Sequence, residues 1–177
     1  EARALGFHWV FAPVADVNVN PENPVINLRS YGENPDDVAK HVTAYIDGAH
    51  SDSKNRVLVT AKHFPGHGDT TVDSHEALPI VPHDRRRLDA IELVPFRRAV
   101  AENVSTIMTA HVLVPEVDER RIATLSPLIV DQWLKNEAGH AHELDLATRY
   151  AAWATQTPAG KALHRKGVLF KAPRKID

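Results

Sequence analysis

Between Lys62 and His75 the chain carries Lys62, His63, His67, Asp69, Asp73 and His75, spaced by Pro65, Gly66 and Gly68. The glycines allow a tight loop whose backbone can approach a ligand closely. Asp73 stands two residues before His75, where it can turn back to accept an imidazole N–H. Such a contact fixes the tautomer and raises the basicity of the other ring nitrogen. A histidine held in this way can act as general acid and then as general base in a two-step displacement. On residue types alone the same stretch also reads as a surface loop of solvated histidines. A metal centre is a further reading, because His63, His67, Asp69 and His75 offer nitrogen and oxygen ligands. Their spacing matches no standard zinc signature, and Lys62 would set an ammonium beside the cation. No metal and no other cofactor is expected.

Two further groups lie upstream. Asp16 supplies acceptors and Arg29 a rigid donor fork, the group types that hold sugar hydroxyls or an acyl group. Each taken alone reads more often as a structural ion-pair residue.

These residues need elements to position them. Three apolar runs have strand character: Trp9 to Ala15, running into Asp16; Val57 to Ala61, running into Lys62 and His63; and Thr106 to Ala110, running into His111. Their near-continuous hydrophobicity suits strands covered on both faces, as in a parallel sheet. Helical patterns alternate with them. One covers 35–50, opened by Asn34, Pro35, Asp36 and Asp37, with Val38, Val42, Tyr45, Ile46 and Ala49 on one face. A second covers 83–103 and is kinked or divided at Pro95. A third starts at Ser126-Pro127. Alternation of this kind predicts parallel βα units, in which chemistry gathers at the C-terminal ends of the strands. All three runs end in ionisable groups.

The chain has 177 residues, is 43% hydrophobic and 25% charged, and has a formal net charge of −2. This composition fits an ordinary globular domain, and its charge gives no pull toward nucleic acid or an anionic membrane surface. The absence of cysteine excludes disulfides, thiolate metal sites and a cysteine nucleophile. It does not identify the compartment, for which the cytoplasm is the favoured expectation. The first residues read as a helix end, which leads to the expectation that sequence upstream, including any signal peptide, is missing. The stretch 138–177 differs in composition and is read as a helical, basic tail, separate from a domain spanning 1–137.

Taken together, these segments resemble the N-terminal barrel domain of family 3 glycoside hydrolases. The nearest branch is the β-N-acetylglucosaminidases (β-hexosaminidases) of bacterial cell-wall recycling. The matching stretches are FAPVADVNVNPENPVINLRSYGENP at 11–35, VTAKHFPGHGDTTVDSHEALPIV at 59–81, VPFRRAVAENVSTIMTAHVLVP at 94–115 and ATLSPLIV at 123–130. The resemblance covers about residues 1–137 and implies part of a (β/α)8 barrel acting on a carbohydrate. By that resemblance Asp16, Arg29, Lys62 and His63 bind the N-acetylglucosamine ring. His75 is the acid/base and Asp73 orients it. His111 lines the same pocket, above Met108. The family retains anomeric configuration through a glycosyl-enzyme ester on an aspartate.

The resemblance fails where that aspartate should lie, after the helix that begins at Ser126-Pro127. The glycine-aromatic-glycine turn, apolar strand and Ser/Thr-Asp of the family do not follow. Asp145, the nearest acid, sits in a helical context and does not inherit the role. The expectation is therefore a truncated barrel lacking its nucleophile and of marginal stability unless a partner fragment completes it. Other family 3 specificities, a glycoside phosphorylase and a non-catalytic sugar-binding remnant are the alternatives.

Overall fold

The structure, a computed structural model, describes residues 1–137. The tail expected at 138–177, and with it the domain division and Asp145, lies outside the described residues. Three short strands, β1 (Trp9–Val10), β2 (Leu58–Phe64) and β3 (Thr106–Thr109), form a parallel sheet in the order β1-β2-β3. Helix α1 (Pro35–His50) connects the first pair, and α2 (Arg85–Ala90) with α3 (Val94–Ala101) the second. An antiparallel hairpin, β4 (Leu113–Val114) and β5 (Asp118–Ile122), follows β3 and leads into α4 (Leu128–Glu137), a helix of the wider i→i+5 type. The hairpin is absent from the sequence expectations.

Helix α1 starts and ends where its sequence signals place it. The Asn34 side chain accepts from the Asp36 and Asp37 amides at 2.9 and 3.2 Å, meeting two of the four N–H groups a helix start leaves unpaired. Its buried stripe runs through Val38, Ala39, Val42 and Ile46, and each larger apolar side chain there contributes about 1.5–3 kcal/mol. Tyr45 lies outside this stripe and is 36% exposed, a correction to the expected face. At 100° per residue it falls on the margin of the arc centred on Val42. Pro95 divides the second helical stretch, as expected, and opens α3.

The first strand is shorter than its apolar run. From Val10 opposite Val59 to Val14 opposite Lys62, β1 advances four residues while β2 advances three. The extra residue is absorbed around Pro13, which has no N–H to give a ladder. Pairing with β2 continues beyond the break through Thr60 N–H to Ala12 O, Lys62 N–H to Pro13 O and Ala15 N–H to Lys62 O. The chain after β1 is thus held alongside β2 up to Asp16. A lateral polar row, in which Trp9 Nε1 donates to Thr60 Oγ1 at 2.7 Å and Thr60 meets Thr106 at 2.6 Å, aligns all three strands. Beneath the strand ends sits a core of Val17, Val42, Ile46, Phe64, Phe96, Ile107 and Leu134.

Candidate functional site

The site is built outward from Asp16, which is fully buried. Its carboxylate accepts the His63 amide at 3.2 Å, the His67 amide at 2.7 Å and the His63 ring at Nδ1, 2.7 Å away. Opposite β3, Lys62 pairs with Met108 and Phe64 with Thr109, so His63 is the residue bulged out of the ladder. The bulge turns its ring toward Asp16. The Lys62–His63 peptide is cis, as are Ala12–Pro13 and Phe64–Pro65.

His67 closes the same turn. It is 2% exposed, and its Nδ1 lies 2.7 Å from Thr70 Oγ1. Burial pulls its pKa below the usual imidazole range. Asn23, also buried, reaches across from the segment after β1. Its amide donates to His67 O at 2.8 Å, and its carbonyl accepts from the Val25 and Ile26 amides. That second pair of contacts sets up the short turn Asn27–Arg29. Asn23 therefore ties the turn carrying Arg29 to the loop carrying His63.

Lys62 is partly buried, and its ammonium has no hydrogen bond among the described residues. Burial first, then the charge of Arg29, lowers its pKa, while Asp16 opposes the shift. The Arg29 guanidinium donates to Val25 O at 3.1 Å. Two cationic groups thus stand near one another beside a buried carboxylate. The arrangement suits a ligand dense in oxygen acceptors.

Asp73 and His75 form the expected pair. Oδ1 of Asp73 accepts the His75 amide at 2.8 Å and meets the ring Nδ1 at 2.7 Å. The two contacts to His75 hold Asp73 below the usual carboxylate range. The His75 side chain is 82% exposed, leaving its other nitrogen open to solvent. His111 is exposed at the end of β3, with Nδ1 2.8 Å from Thr124 Oγ1, which in turn donates to Ala110 O. No hydrogen bond joins His111 to Asp16, to His63 or to the Asp73–His75 pair. Met108 is partly buried, not core.

The structure thus brings Asp16, Lys62, His63 and Arg29 into one neighbourhood and forms the Asp73–His75 pair, whose Asp73 carboxylate interacts with His67 of the same turn. The four residues weighed as metal ligands do not converge. His63 turns to Asp16, His67 to Thr70, Asp69 to His83 and His75 to Asp73. A different trio, Asp69, His83 and Glu92, does converge. The guanidinium of Arg87 already stands between its two carboxylates, 3.4 Å from Asp69 and 3.1 Å from Glu92, and acts as the cation there. Asn23, Thr70, His83, Arg87 and Glu92 were not legible as site residues. Each is recruited by tertiary contact, and none stands in a local pattern that marks it.

Comparison with known proteins agrees with this architecture. The chain matches the model of the glycosyl hydrolase family 3 N terminal domain over residues 1–141 and belongs to that family. It is 42% identical to a beta-hexosaminidase A of Pseudoalteromonas piscicida, over 79% of this chain and 25% of the relative. With a beta-hexosaminidase of Stenotrophomonas maltophilia it shares 37% identity, over 78% of this chain and 40% of the other. Among solved structures, a family 3 beta-N-acetylglucosaminidase from Paenibacillus superposes with a TM-score of 0.75 at 50% identity, covering 78% of this chain and 26% of that one. The NagZ protein of Neisseria gonorrhoeae, solved with N-trifluoroacetyl-D-glucosamine, gives 0.71 at 36% identity, covering 77% and 39%. The three βα units are accordingly a sector of the family's (β/α)8 barrel. The chain spans between a quarter and two fifths of the length of these relatives.

Proposed function

We propose that this chain supplies the sugar-binding and acid/base part of a retaining β-N-acetylglucosaminidase acting on terminal N-acetylglucosamine, including that of peptidoglycan fragments. The observation that carries the reading is the Asp73–His75 contact at 2.7 Å, with Asp73 in electrostatic contact with His67, whose amide binds Asp16. Asp73 holds the Nδ1 side of the ring, so the outward nitrogen of His75 can protonate the leaving glycosidic oxygen and later take a proton from water. Lys62, Arg29 and the Asp16–His63 pair then fix the hydroxyls of the ring being cleaved, with His111 at the border of the pocket.

Asp16 is bound to His63 and His67, Asp69 to His83 and Arg87, Asp73 to His75, and Glu92 to Arg87. Glu76, next to His75, is exposed. On the family pattern, in which the nucleophile follows the strand after the helix that begins at Ser126-Pro127, the nucleophilic carboxylate lies outside residues 1–137. The test is hydrolysis of a chromogenic N-acetyl-β-glucosaminide by the catalytically complete enzyme, this chain together with the part that supplies the nucleophile, and by its His75→Ala variant. The expected result is turnover by the catalytically complete enzyme, lost in the variant with the unfolding midpoint unchanged. Turnover undiminished in His75→Ala would overturn the acid/base assignment.

A further inference from the structure

The Asp73–His75 pair rides on a stretch that touches the rest of the protein very little. Between Thr71 and Leu78 the only hydrogen bonds among the described residues are internal. The Glu76 and Ala77 amides donate to Asp73 O at 3.0 Å, and His75 binds Asp73. Residues 75–78 are exposed. Apart from the interaction of Asp73 with His67, the hydrogen bonds that fix the Asp73–His75 pair relative to the Asp16 cluster therefore lie at the two ends of this stretch.

At those ends the chain meets itself. Asp69, just before the stretch, and His83, just after it, lie 14 positions apart, yet Oδ2 of Asp69 is 2.6 Å from Nε2 of His83. Loops whose ends meet in this way are compact surface units that often carry function. The neck is also fastened from below. The Arg87 guanidinium bridges Asp69 and Glu92. Glu92 is 1% exposed and packs directly beneath Gly66, where a Cβ would come within 2.8 Å of Glu92 Cβ. Gly66 belongs to the same turn as His63 and His67, so the footing of the neck is also the floor of the sugar-binding turn. Other tethers hold each strand singly. Leu113 N–H to Pro79 O at 2.9 Å and Val81 N–H to Leu113 O at 2.8 Å hold the returning one, and the Asn20 and Asn23 side-chain amides, each 3.3 Å from Thr70, hold the outgoing one. The Asp69–His83 contact joins the two.

We propose that His83 is a positioning residue: its contact with Asp69 is a clasp that closes the neck of the 69–83 loop and so holds the Asp73–His75 pair in register with the Asp16–Lys62–His63 cluster. Arg87 and Glu92 anchor the clasp to the sugar-binding turn. The catalytic consequence rests on the acid/base reading of His75 given above, whereas the mechanical one does not. Opening the clasp loosens the Asp73–His75 pair while Asp16 keeps its contacts to His63 and His67 and Asn23 its contacts to His67 and Thr70.

The test uses the full chain and three variants, His83→Ala, His83→Gln and Asp69→Asn. Glutamine retains an N–H that can reach Asp69. Backbone order parameters for residues 71–78 measure the clasp directly, independent of any turnover. In His83→Ala they are expected to fall from about 0.85, the rigid range, to below about 0.6, while those of β2 stay unchanged. His83→Gln should restore most of the order, and Asp69→Asn should lower it as His83→Ala does. Unchanged order at 71–78 in both His83→Ala and Asp69→Asn overturns the proposal, as does an equal loss throughout β2. In the catalytically complete enzyme, His83→Ala should lower kcat at least tenfold with KM within about twofold. A rise in KM at constant kcat would count against a role through His75. Turnover that survives loss of His75 itself would instead refute the acid/base reading and leave the clasp to the order parameters.

Discussion

Gly68→Ala should disrupt the site and the fold together, and the structure gives the scale of the effect. A Cβ at Gly68 would overlap the Val17 carbonyl oxygen and lie 2.6 Å from the Val17 carbonyl carbon and 3.2 Å from the Asn18 nitrogen. Carbon atoms in contact normally sit about 3.5–4.0 Å apart. The loop or the segment after β1 must therefore move by roughly 1 Å, a figure set by that contact distance. Neither is free to do so. The His67 amide is held to Asp16 at 2.7 Å, His67 O to Asn23 at 2.8 Å, and Asn20 N–H to Gly68 O at 3.4 Å. A displacement of that size takes the last contact out of range and stretches the first two beyond ordinary hydrogen-bond length. Leaving two buried groups unmet, at about 1–3 kcal/mol each, gives a loss of about 2–6 kcal/mol. That is a large part of the roughly 5–15 kcal/mol typical of a domain.

Urea unfolding of the full chain measures this loss from the midpoint and slope. Gly48→Ala is the internal control. Gly48 lies in the last turn of α1 with nothing within 4 Å of its would-be Cβ, so the same substitution should stabilise by about 0.4–1 kcal/mol. A loss at Gly68 below about 1 kcal/mol with an unchanged slope would refute the reasoning, because two buried hydrogen bonds could not then have been strained.

Asp16→Ala removes the acceptor of two backbone amides and one imidazole, and should destabilise by about 3 kcal/mol or more, since bonds to a charged group contribute about 1.5–3 each. At about 2–4 °C per kcal/mol this lowers Tm by roughly 6 °C or more; a drop under about 3 °C would contradict the central role given to Asp16. His67 has its pKa depressed below the ordinary 6.5 by burial, so its folded form prefers to be neutral. Its contribution is present above 6.5 and is lost as pH falls through the depressed value. The stability gap between wild type and His67→Gln should therefore narrow between pH 7.5 and pH 5.5, and a gap that stays constant across those urea titrations would refute this assignment.

Much of the fold was legible because the signals were local. Asn34, Pro35 and the acids after them specify the start of α1, and Pro95 specifies the break between α2 and α3. The strand ends carrying Lys62, His63 and His111 were marked by apolar runs meeting ionisable groups. Where reading failed, the deciding interactions were distant in sequence. Trp9 to Ala15 is uniformly apolar, yet Pro13 forces a bulge visible only against the register of β2. The β5 sequence, Asp118 to Ile122, has no apolar alternation and pairs at the surface as half of a short hairpin. Glu92 falls inside the helical pattern expected over 83–103 but sits buried in the break before α3. His83 takes its meaning only from Asp69, 14 positions earlier.

The meeting of Asp69 with His83 also separates what can change length from what cannot. The turn from Lys62 to Gly68 is wedged between Val17 and Glu92, so an added residue there has nowhere to go. Between Thr71 and Leu78 the chain is bounded by a closed neck, and residues 75–78 face water. Doubling such a loop adds only about 0.6 kcal/mol of closure entropy. Insertions and deletions are thus tolerated by the fold at the segment that carries Asp73 and His75. They are resisted at the turn that carries His63 and His67. In this architecture the reach of the Asp73–His75 pair is adjustable by loop length, while the placement of His63 and His67 against Asp16 is fixed by packing.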